Sequence, residues 1–250
     1  KIIAPSLTGD DMGGLVETMV NAVGKERFNE LFDAVAIHPY GELLKSIGKI
    51  ESTIAVLEGW FDGELWITEV GWPINPAIDG EHAEFEKAQN IGKILVSAMV
   101  RNVTHTLIHM WCDWGWVDNV PKVQNATYGE HWFGIVDLWA NPKPSYYAYK
   151  TIANIIGYAD YLGPLLFSNP IPKEIDSHLF LHENGSYYLI YWDQHGDLEQ
   201  PISLTVPFDC IWTIYYANHT VMDAGEGPKI TTNCNQDIRI IQMTPKENLS

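Results

Sequence analysis

Three stretches of the sequence end in residues that can do chemistry, and each continues a run typical of a buried strand. His38 and Tyr40 close AIHPY, and Glu69 lies in LWITEVGWP, one residue before a Gly-Trp-Pro turn signal. Trp111 and Asp113 lie in HMWCDWGW. The carboxyl ends of parallel strands meet at one edge of a sheet, where the loops that follow them form the rim of a pocket. We therefore expect a carboxylate, an imidazole and several aromatic rings to share one pocket.

The elements that carry these residues alternate between apolar runs and stretches of helical period. Strands are predicted at KIIAPS, FDAVAIHPY, ELWITEVGW and HTLIHMWCDW. Helices are predicted at GGLVETMVNAVGKERF, LLKSIGKIESTIAVLEGW, EHAEFEKAQNIGKILVSAMVRN and SYYAYKTIANII. This alternation indicates βα units around a parallel sheet.

The pattern changes after Gly157. SHLFLHENGSYYLIYWDQ predicts a hairpin that turns at Asn184-Gly185, and PISLTVPFDCIWTIYYAN and KITTNCNQDIRIIQMTP continue with alternating strands. The sequence therefore predicts an α/β domain over residues 1–157 and a small antiparallel β-domain over residues 158–250.

The composition excludes several classes of partner. The chain has 250 residues, of which 46% are hydrophobic, and its formal net charge is -17. This charge would repel nucleic acid and anionic membranes, so we expect neither as a partner. No apolar run approaches the roughly 20 residues that span a bilayer. Ten Trp and twelve Tyr suit the stacking of flat, hydroxylated ligands, although most of them are expected in the core.

Two further features bear on the compartment. Of the three cysteines, Cys210 and Cys234 lie in the strand-rich tail, where they could pair. Five Asn-X-Ser/Thr sites, together with the acidity, favour an extracellular or secreted protein. These sites are Asn102, Asn125, Asn184, Asn218 and Asn248.

The motifs resemble those of a known family. AIHPYG, LWITEVGWP, HMWCDWGW and FGIVDLWANPKPSYYAYK are similar, in this order, to the last strands and closing segment of the retaining glycoside hydrolases built on a (β/α)8 barrel, whose catalytic glutamates end strands four and seven. The resemblance covers residues 1–157 and implies the C-terminal half of a TIM barrel, strands five to eight. It also implies that the tail is a β-sandwich, which members of this clan often carry.

The resemblance assigns roles to individual residues. Glu69 matches the nucleophile, which must be an ionised carboxylate that is held rigidly. His38 and Tyr40 are expected to point into the pocket, where the Tyr40 hydroxyl could orient Glu69. Other residues are expected to bind the sugar: Trp111 as the floor, and Trp72, Asp113 and Trp114 around it. No metal or cofactor is expected.

The second carboxyl group that a retaining mechanism needs is not apparent. By resemblance it belongs to an Asn-Glu pair at the end of strand four, but the only such pair, Asn29-Glu30, lies in a predicted helix. Asp113 or Glu130 could substitute from a neighbouring loop. We therefore expect the acid/base on a companion polypeptide, or on an N-terminal portion of the same chain, that carries strands one to four. A half-barrel alone would expose the edges of its parallel sheet and a strip of inward-facing Val, Ile and Leu. The half that carries strands one to four would cover both.

Two other functions stay open at this stage. The first is a non-catalytic carbohydrate-binding or structural barrel protein that keeps the aromatic pocket. The second is an open four-stranded α/β-sheet that is complete in itself, with unrelated chemistry. Sugar binding by the β-domain would depend on Trp192 and Trp212, which strand alternation can equally bury.

Overall fold

The computed structural model describes most of the chain and has a mixed α/β fold. The described residues are 1–75, 79–113, 116–117, 120–121, 132–165, 175–194 and 199–249. They divide into two compact units, Lys1–Lys143 and Pro144–Ser250. No helix in these ranges is long and apolar enough to cross a membrane.

The first unit is built on a parallel sheet in which strand order follows chain order. Its strands, which pair in the order β1-β2-β3-β4, are β1 Leu7–Thr8, β2 Ala34–His38, β3 Glu64–Val70 and β4 Val103–Ile108. Its helices are α1 Met12–Val23, α2 Lys25–Leu31, α3 Leu43–Leu57 and α4 Glu81–Met99. A short hairpin, β5 Trp116–Val117 and β6 Val120–Pro121, follows β4.

The core of the first unit lies between the sheet and the helices. Leu65 and Ile67 of β3 pack in one cluster with Ile50 of α3 and Ile94 of α4. Helix α3 contacts both α1 and α4, so these three helices form one layer. Because side chains alternate along a strand, Trp66 and Thr68 face away from that cluster.

The face of β3 that points away from the core differs from the sequence expectation. Trp66 stacks on His105 of β4 with ring centroids 4.1 Å apart, and Thr68 bonds to His38. These polar and aromatic side chains stand where an inward strip of Val, Ile and Leu was expected. Polar and aromatic side chains therefore line this face of β3.

The first predicted strand, KIIAPS, is shorter than expected. Ile3 forms one isolated parallel bridge with Ala34, and regular pairing to β2 begins only at Leu7. Pro5 lies between these two points and has no N–H to donate to a ladder. The strand is interrupted for this reason.

The second unit contains helix α5 Pro144–Ile156 and an antiparallel arrangement of strands. The sequence pattern placed this helix in the first domain, whereas its contacts place it in the second unit, against β7 and β8. The described strands are β7 Ala159–Pro164, β8 Ile175–His182, β9 Tyr187–Asp193, β10 Gln200–Thr205, β11 Cys210–Tyr216, β12 Val221–Glu226, β13 Lys229–Cys234 and β14 Arg239–Pro245. Six of them pair in the order β12-β11-β14-β9-β8-β7, and β10 pairs with β13.

One hydrophobic cluster joins the two antiparallel sheets of the second unit. It combines Leu189 and Ile241 of the six-stranded sheet with Ile202 and Ile230 of the two-stranded one. Cys210 and Cys234 belong to this cluster as buried thiols that no disulfide joins, so the pairing that the sequence left open is not formed. Trp192 is also buried, and it offers no surface for a sugar.

Candidate active site

A cavity of about 490 Å³ opens at the carboxyl ends of β2 and β3. Each wall comes from a strand end or from the loop that follows it. The lining includes Tyr40, Glu42, Glu69, Trp72, His109 and Phe133. The carboxyl ends of neighbouring parallel strands thus bring together residues that lie far apart in the sequence.

Glu69 is held by one of its two carboxylate oxygens. The Tyr40 hydroxyl donates to Oε2 of Glu69 over 2.9 Å, and Nδ1 of His38 lies 3.4 Å from the same oxygen. Within the described residues, Oε1 of Glu69 has no hydrogen-bond partner, and the side chain is 42% exposed. The carboxylate therefore has a fixed orientation and one oxygen that can react.

A chain of polar side chains fixes the orientation of His38. Its other ring nitrogen, Nε2, lies 2.9 Å from Oγ1 of Thr68, which is itself 3.1 Å from the Ser6 hydroxyl. Thr68 directly precedes Glu69 on β3, where the pairing of this strand with β4 is irregular, and both side chains contact the His38 ring. Both nitrogens of the imidazole are thus partnered by neighbouring residues of β3.

The loop that carries Tyr40 is fixed by contacts from two directions. Nζ of the buried Lys49 on α3 donates to the Tyr40 carbonyl oxygen over 2.7 Å. Nε1 of Trp72 donates to the Gly41 carbonyl oxygen over 2.9 Å. Trp72 therefore lines the cavity and holds its opposite wall at the same time.

Phe133 packs edge-on against the Tyr40 and His109 rings, with centroids 5.8 and 5.1 Å apart. The buried Lys87 of α4 holds the backbone on both sides of this phenylalanine. Its Nζ donates to the carbonyl oxygens of Trp132 and Gly134, over 3.0 and 2.8 Å. Burial, and secondarily the charge of Lys143, lowers the pKa of Lys87 to about 8. Lys87 thus positions the aromatic wall next to Tyr40.

Asp113 lies in a buried ion-pair network and not at the cavity. It is 3% exposed, its Oδ2 is 2.6 Å from Nζ of Lys143, and its Oδ1 accepts from the Gly134 N–H over 2.9 Å. Lys143 also pairs with Glu84 at 3.0 Å. Burial raises the pKa of Asp113, although Lys143 opposes this shift. The sequence expectation that Asp113 contacts the sugar therefore does not match its position.

The remaining sequence-predicted residues are placed differently. Trp111 is 60% exposed and is not among the described residues that line the cavity. Trp114 and Glu130 fall outside the described residues. The lining also includes Glu42, His109 and Phe133, to which the sequence pattern assigned no role. Phe133 lies in the FGIVD motif, so the sequence contained a signal that could have placed it at the site. Glu42 directly follows AIHPYG but belongs to no recognisable motif.

The arrangement suits chemistry by a single positioned carboxylate. An anchored carboxylate that opens into an aromatic cavity can act as a nucleophile, as a base or as a partner for a cation. No cluster of His, Cys, Asp and Glu that could hold a metal ion occurs in the part of the chain that is described.

Comparison with known proteins gives a fold. No protein-family model matches the sequence, and no curated protein matches it. A family 39 glycoside hydrolase from Bacteroides cellulosilyticus WH2 superposes with a TM-score of 0.67 at 16% identity, over 94% of this chain and 48% of that one. The GH51 arabinofuranosidase of Xanthomonas axonopodis pv. citri superposes with a TM-score of 0.61 at 10% identity, over 97% of this chain and 57% of that one. A GH39 β-xylosidase of Caulobacter crescentus superposes with a TM-score of 0.54 at 11% identity, over 98% of this chain and 57% of that one.

These structural similarities establish the class of fold, and they establish neither the activity nor the substrate. The chain has the mixed α/β fold of glycoside hydrolases and spans about half the length of the solved structures it matches. Identities this low establish fold alone, and function has to be argued from the site.

Proposed function

We propose that the chain is part of a retaining glycoside hydrolase in which Glu69 is the nucleophile. The observation that carries this proposal is the hydrogen bond from Tyr40 to Oε2 of Glu69, a residue that lines the cavity and whose Oε1 has no partner among the described residues. In the first step, Oε1 attacks the anomeric carbon and forms a glycosyl ester, the glycosidic bond breaks, and the leaving oxygen takes a proton from the acid/base residue. Water then cleaves the ester. The cavity volume of about 490 Å³ fits one or two sugar residues.

The proposal includes a barrel architecture. Strands β1 to β4 pair in chain order, and the helices that join them form one layer, as in the wall of a (β/α)8 barrel. An open doubly wound sheet would instead reverse its strand order at a switch point. We therefore assign β1 to β4 as barrel strands five to eight. The second unit, with one core between two antiparallel sheets, is assigned as an appended β-sandwich.

The acid/base is proposed to come from polypeptide that carries barrel strands one to four, as a companion chain or as part of the same chain. The outer edges of β1 and β4 have no neighbouring strand among the described residues, and the similar structures are about twice as long. In the described part of the lining, the other carboxylate belongs to Glu42, to which the family resemblance assigns no role. Retention needs a second carboxyl group roughly 5 to 5.5 Å from the nucleophile. Intact-mass measurement of everything in the purified enzyme tests for this polypeptide.

The nucleophile is tested with 2-deoxy-2-fluoro-β-D-xylosyl fluoride and its glucosyl counterpart. In each reagent the C1–F bond breaks, fluoride leaves and an ester to Glu69 forms, and the fluoride leaving group needs little help from an acid. Mass spectrometry should find one fluoroglycosyl group on the peptide that contains Glu69. Glu69→Gln should abolish labelling. The matched variants Glu64→Gln, at the other end of β3, and Glu42→Gln, in the same cavity, should keep it.

A second candidate is a carbohydrate-binding protein without turnover. It is favoured by the described lining, in which Glu42 is the one carboxylate besides Glu69 and lies in no motif that assigns it a catalytic role. The same experiment separates the two candidates. A protein that binds xylose or glucose by calorimetry, yet gains no mass from either fluoride when the complete enzyme is used, would support this candidate and end the nucleophile assignment.

We further propose that the protein is extracellular. Asn102 and Asn184, each in an Asn-X-Thr or Asn-X-Ser site, lie exposed on the surface. Expression through the secretory pathway should add glycan mass that an N-glycosidase removes. Substituting both residues with Gln should reduce this mass, and a protein secreted without any glycan would remove this support.

A further inference from the structure

The second unit contains its own cavity, of about 540 Å³, between α5 and one face of the six-stranded sheet. Tyr188 of β9, Tyr215 of β11 and Gln242 of β14 form its floor. Their neighbours Leu189, Ile214 and Ile241 point the other way, into the hydrophobic cluster. Strand alternation thus separates a packed face from a face that lines a cavity.

The floor presents two buried tyrosines whose hydroxyls have no hydrogen-bond partner in the part of the chain that the structure describes. Tyr188 is 7% exposed and Tyr215 is 3% exposed, so both rings are packed. Within the described residues neither hydroxyl makes a hydrogen bond, and neither oxygen is among the atoms sealed from solvent without a partner. Both hydroxyls therefore open into the cavity. A buried ring with an unpaired hydroxyl is uncommon in a well-packed protein, because an unmade hydrogen bond is costly.

The charge around this cavity is unlike that of the whole chain. The chain carries a net charge of -17, but no Asp or Glu is among the described residues that line the cavity. Lys150 of α5 contributes a positive charge. His182 is held by its neighbours: its Nδ1 accepts from the Asn184 N–H over 3.2 Å, and its Nε2 lies 3.3 Å from the Asn154 carbonyl oxygen. The lining thus offers hydroxyl and amide groups around one cation.

We propose that this cavity is a second binding site, for a sugar-sized ligand that carries hydroxyls and one carboxylate, such as a uronic acid. The Tyr188 and Tyr215 hydroxyls and the Gln242 amide bind the ligand hydroxyls, and Lys150 pairs with its carboxylate. Burial, followed by the nearby Tyr188, raises the pKa of Tyr215 and keeps its hydroxyl a donor at neutral pH. The site lies entirely in the second unit and does not depend on Glu69.

The test is a calorimetric and NMR titration of the unglycosylated full chain with D-glucuronate, D-glucose and acetate. Glucuronate should bind most tightly, because it alone supplies both hydroxyls and a carboxylate. Tyr188→Phe keeps the ring and removes the hydroxyl, and should weaken glucuronate about 5- to 10-fold. Tyr187→Phe is the matched control, because Tyr187 lies on the opposite face and stacks on Phe208. It should leave the affinity unchanged.

A second variant separates ligand recognition from folding. Lys150→Gln changes an exposed side chain that can be replaced without loss of the fold, and should remove the preference for glucuronate over glucose. Three results would overturn the proposal. The first is that no probe binds, and the second is that acetate binds as tightly as glucuronate. The third is that glucuronate binding survives Tyr188→Phe and Lys150→Gln but is lost with Trp72→Ala, which alters the other cavity.

Discussion

The hydroxyl of Tyr40, at the end of one strand, donates to Oε2 of Glu69, at the end of the next, over 2.9 Å. This contact makes the two carboxylate oxygens of Glu69 inequivalent. Oε2 receives Tyr40 and the imidazole of His38, while Oε1 has no partner within the described residues. A nucleophile needs this asymmetry, because the attacking oxygen must be both unoccupied and directed.

Removing the Tyr40 hydroxyl should therefore slow the reaction of Glu69 without removing it. Tyr40→Phe keeps the ring that packs on Phe133 but leaves His38 as the described partner of Oε2. We expect the rate of labelling by the fluoroglycosyl fluoride to fall about 10- to 100-fold through loss of orientation. Time-resolved intact mass measures this rate. Tyr158→Phe, at an exposed turn, should label at the wild-type rate, and an unchanged rate in Tyr40→Phe would refute the positioning role.

Thr68 should act on the same reaction through His38. Thr68→Val is nearly isosteric but removes the hydroxyl that lies 2.9 Å from Nε2 of His38. The labelling rate should fall about 3- to 10-fold, in line with the loss of one hydrogen bond. Thr68→Ser retains a hydroxyl and should recover most of the rate. If Ser and Val gave equal losses, the effect would come from packing and not from the hydrogen bond.

The sequence predicted the parts of this site that depend on strand ends. Periodicity located the strand that leads to Tyr40 and the strand that carries Glu69, and parallel pairing then required their ends to be neighbours. The mixed α/β fold is confirmed for the same reason, since alternating apolar and helical periods are strong signals. Strand β12 was missed because its side chains are mostly exposed and give no apolar pattern.

The sequence could not predict contacts that form only in three dimensions. Asp113 was expected at the cavity because it follows a strand, but Lys143, thirty positions later in the chain, pairs with it in the interior. Gly71 was expected to let the loop turn. A Cβ at this position would instead collide with the carbonyl oxygen of His109 and crowd Phe133. Close approach of two backbone segments leaves no periodic signal.

Gly71→Ala should consequently be damaging, although the change is one methyl group. The added carbon would force β3 away from the backbone of His109, and we expect a loss of about 1 to 3 kcal/mol in the free energy of unfolding. Gly48→Ala is the control, because nothing lies within 4 Å of a Cβ there. In helix α3 it should be neutral or stabilise by up to about 1 kcal/mol. Urea unfolding of both variants measures the difference, and equal stabilities would contradict the close-approach argument.

Lys87 should make stability depend on pH in a definite window. Burial lowers its pKa from 10.5 to about 8, so between these values the native state binds fewer protons than the unfolded state. Stability therefore rises with pH across this window, by up to about 3 kcal/mol from this group. Below pH of about 8 the lysine is charged in both states, and the full penalty of burying that charge is present.

The measurement compares urea unfolding of wild type and Lys87→Met from pH 7.5 to pH 9.5. Methionine cannot titrate, so the variant should lose the upward slope that Lys87 gives the wild type, and the difference between the two curves cancels other titrating groups. Its absolute stability should also fall, because the carbonyls of Trp132 and Gly134 lose their donor. Lys45→Met, at an exposed position on α3, should preserve the wild-type slope. Parallel curves for wild type and Lys87→Met would show that the buried amine does not titrate in this window.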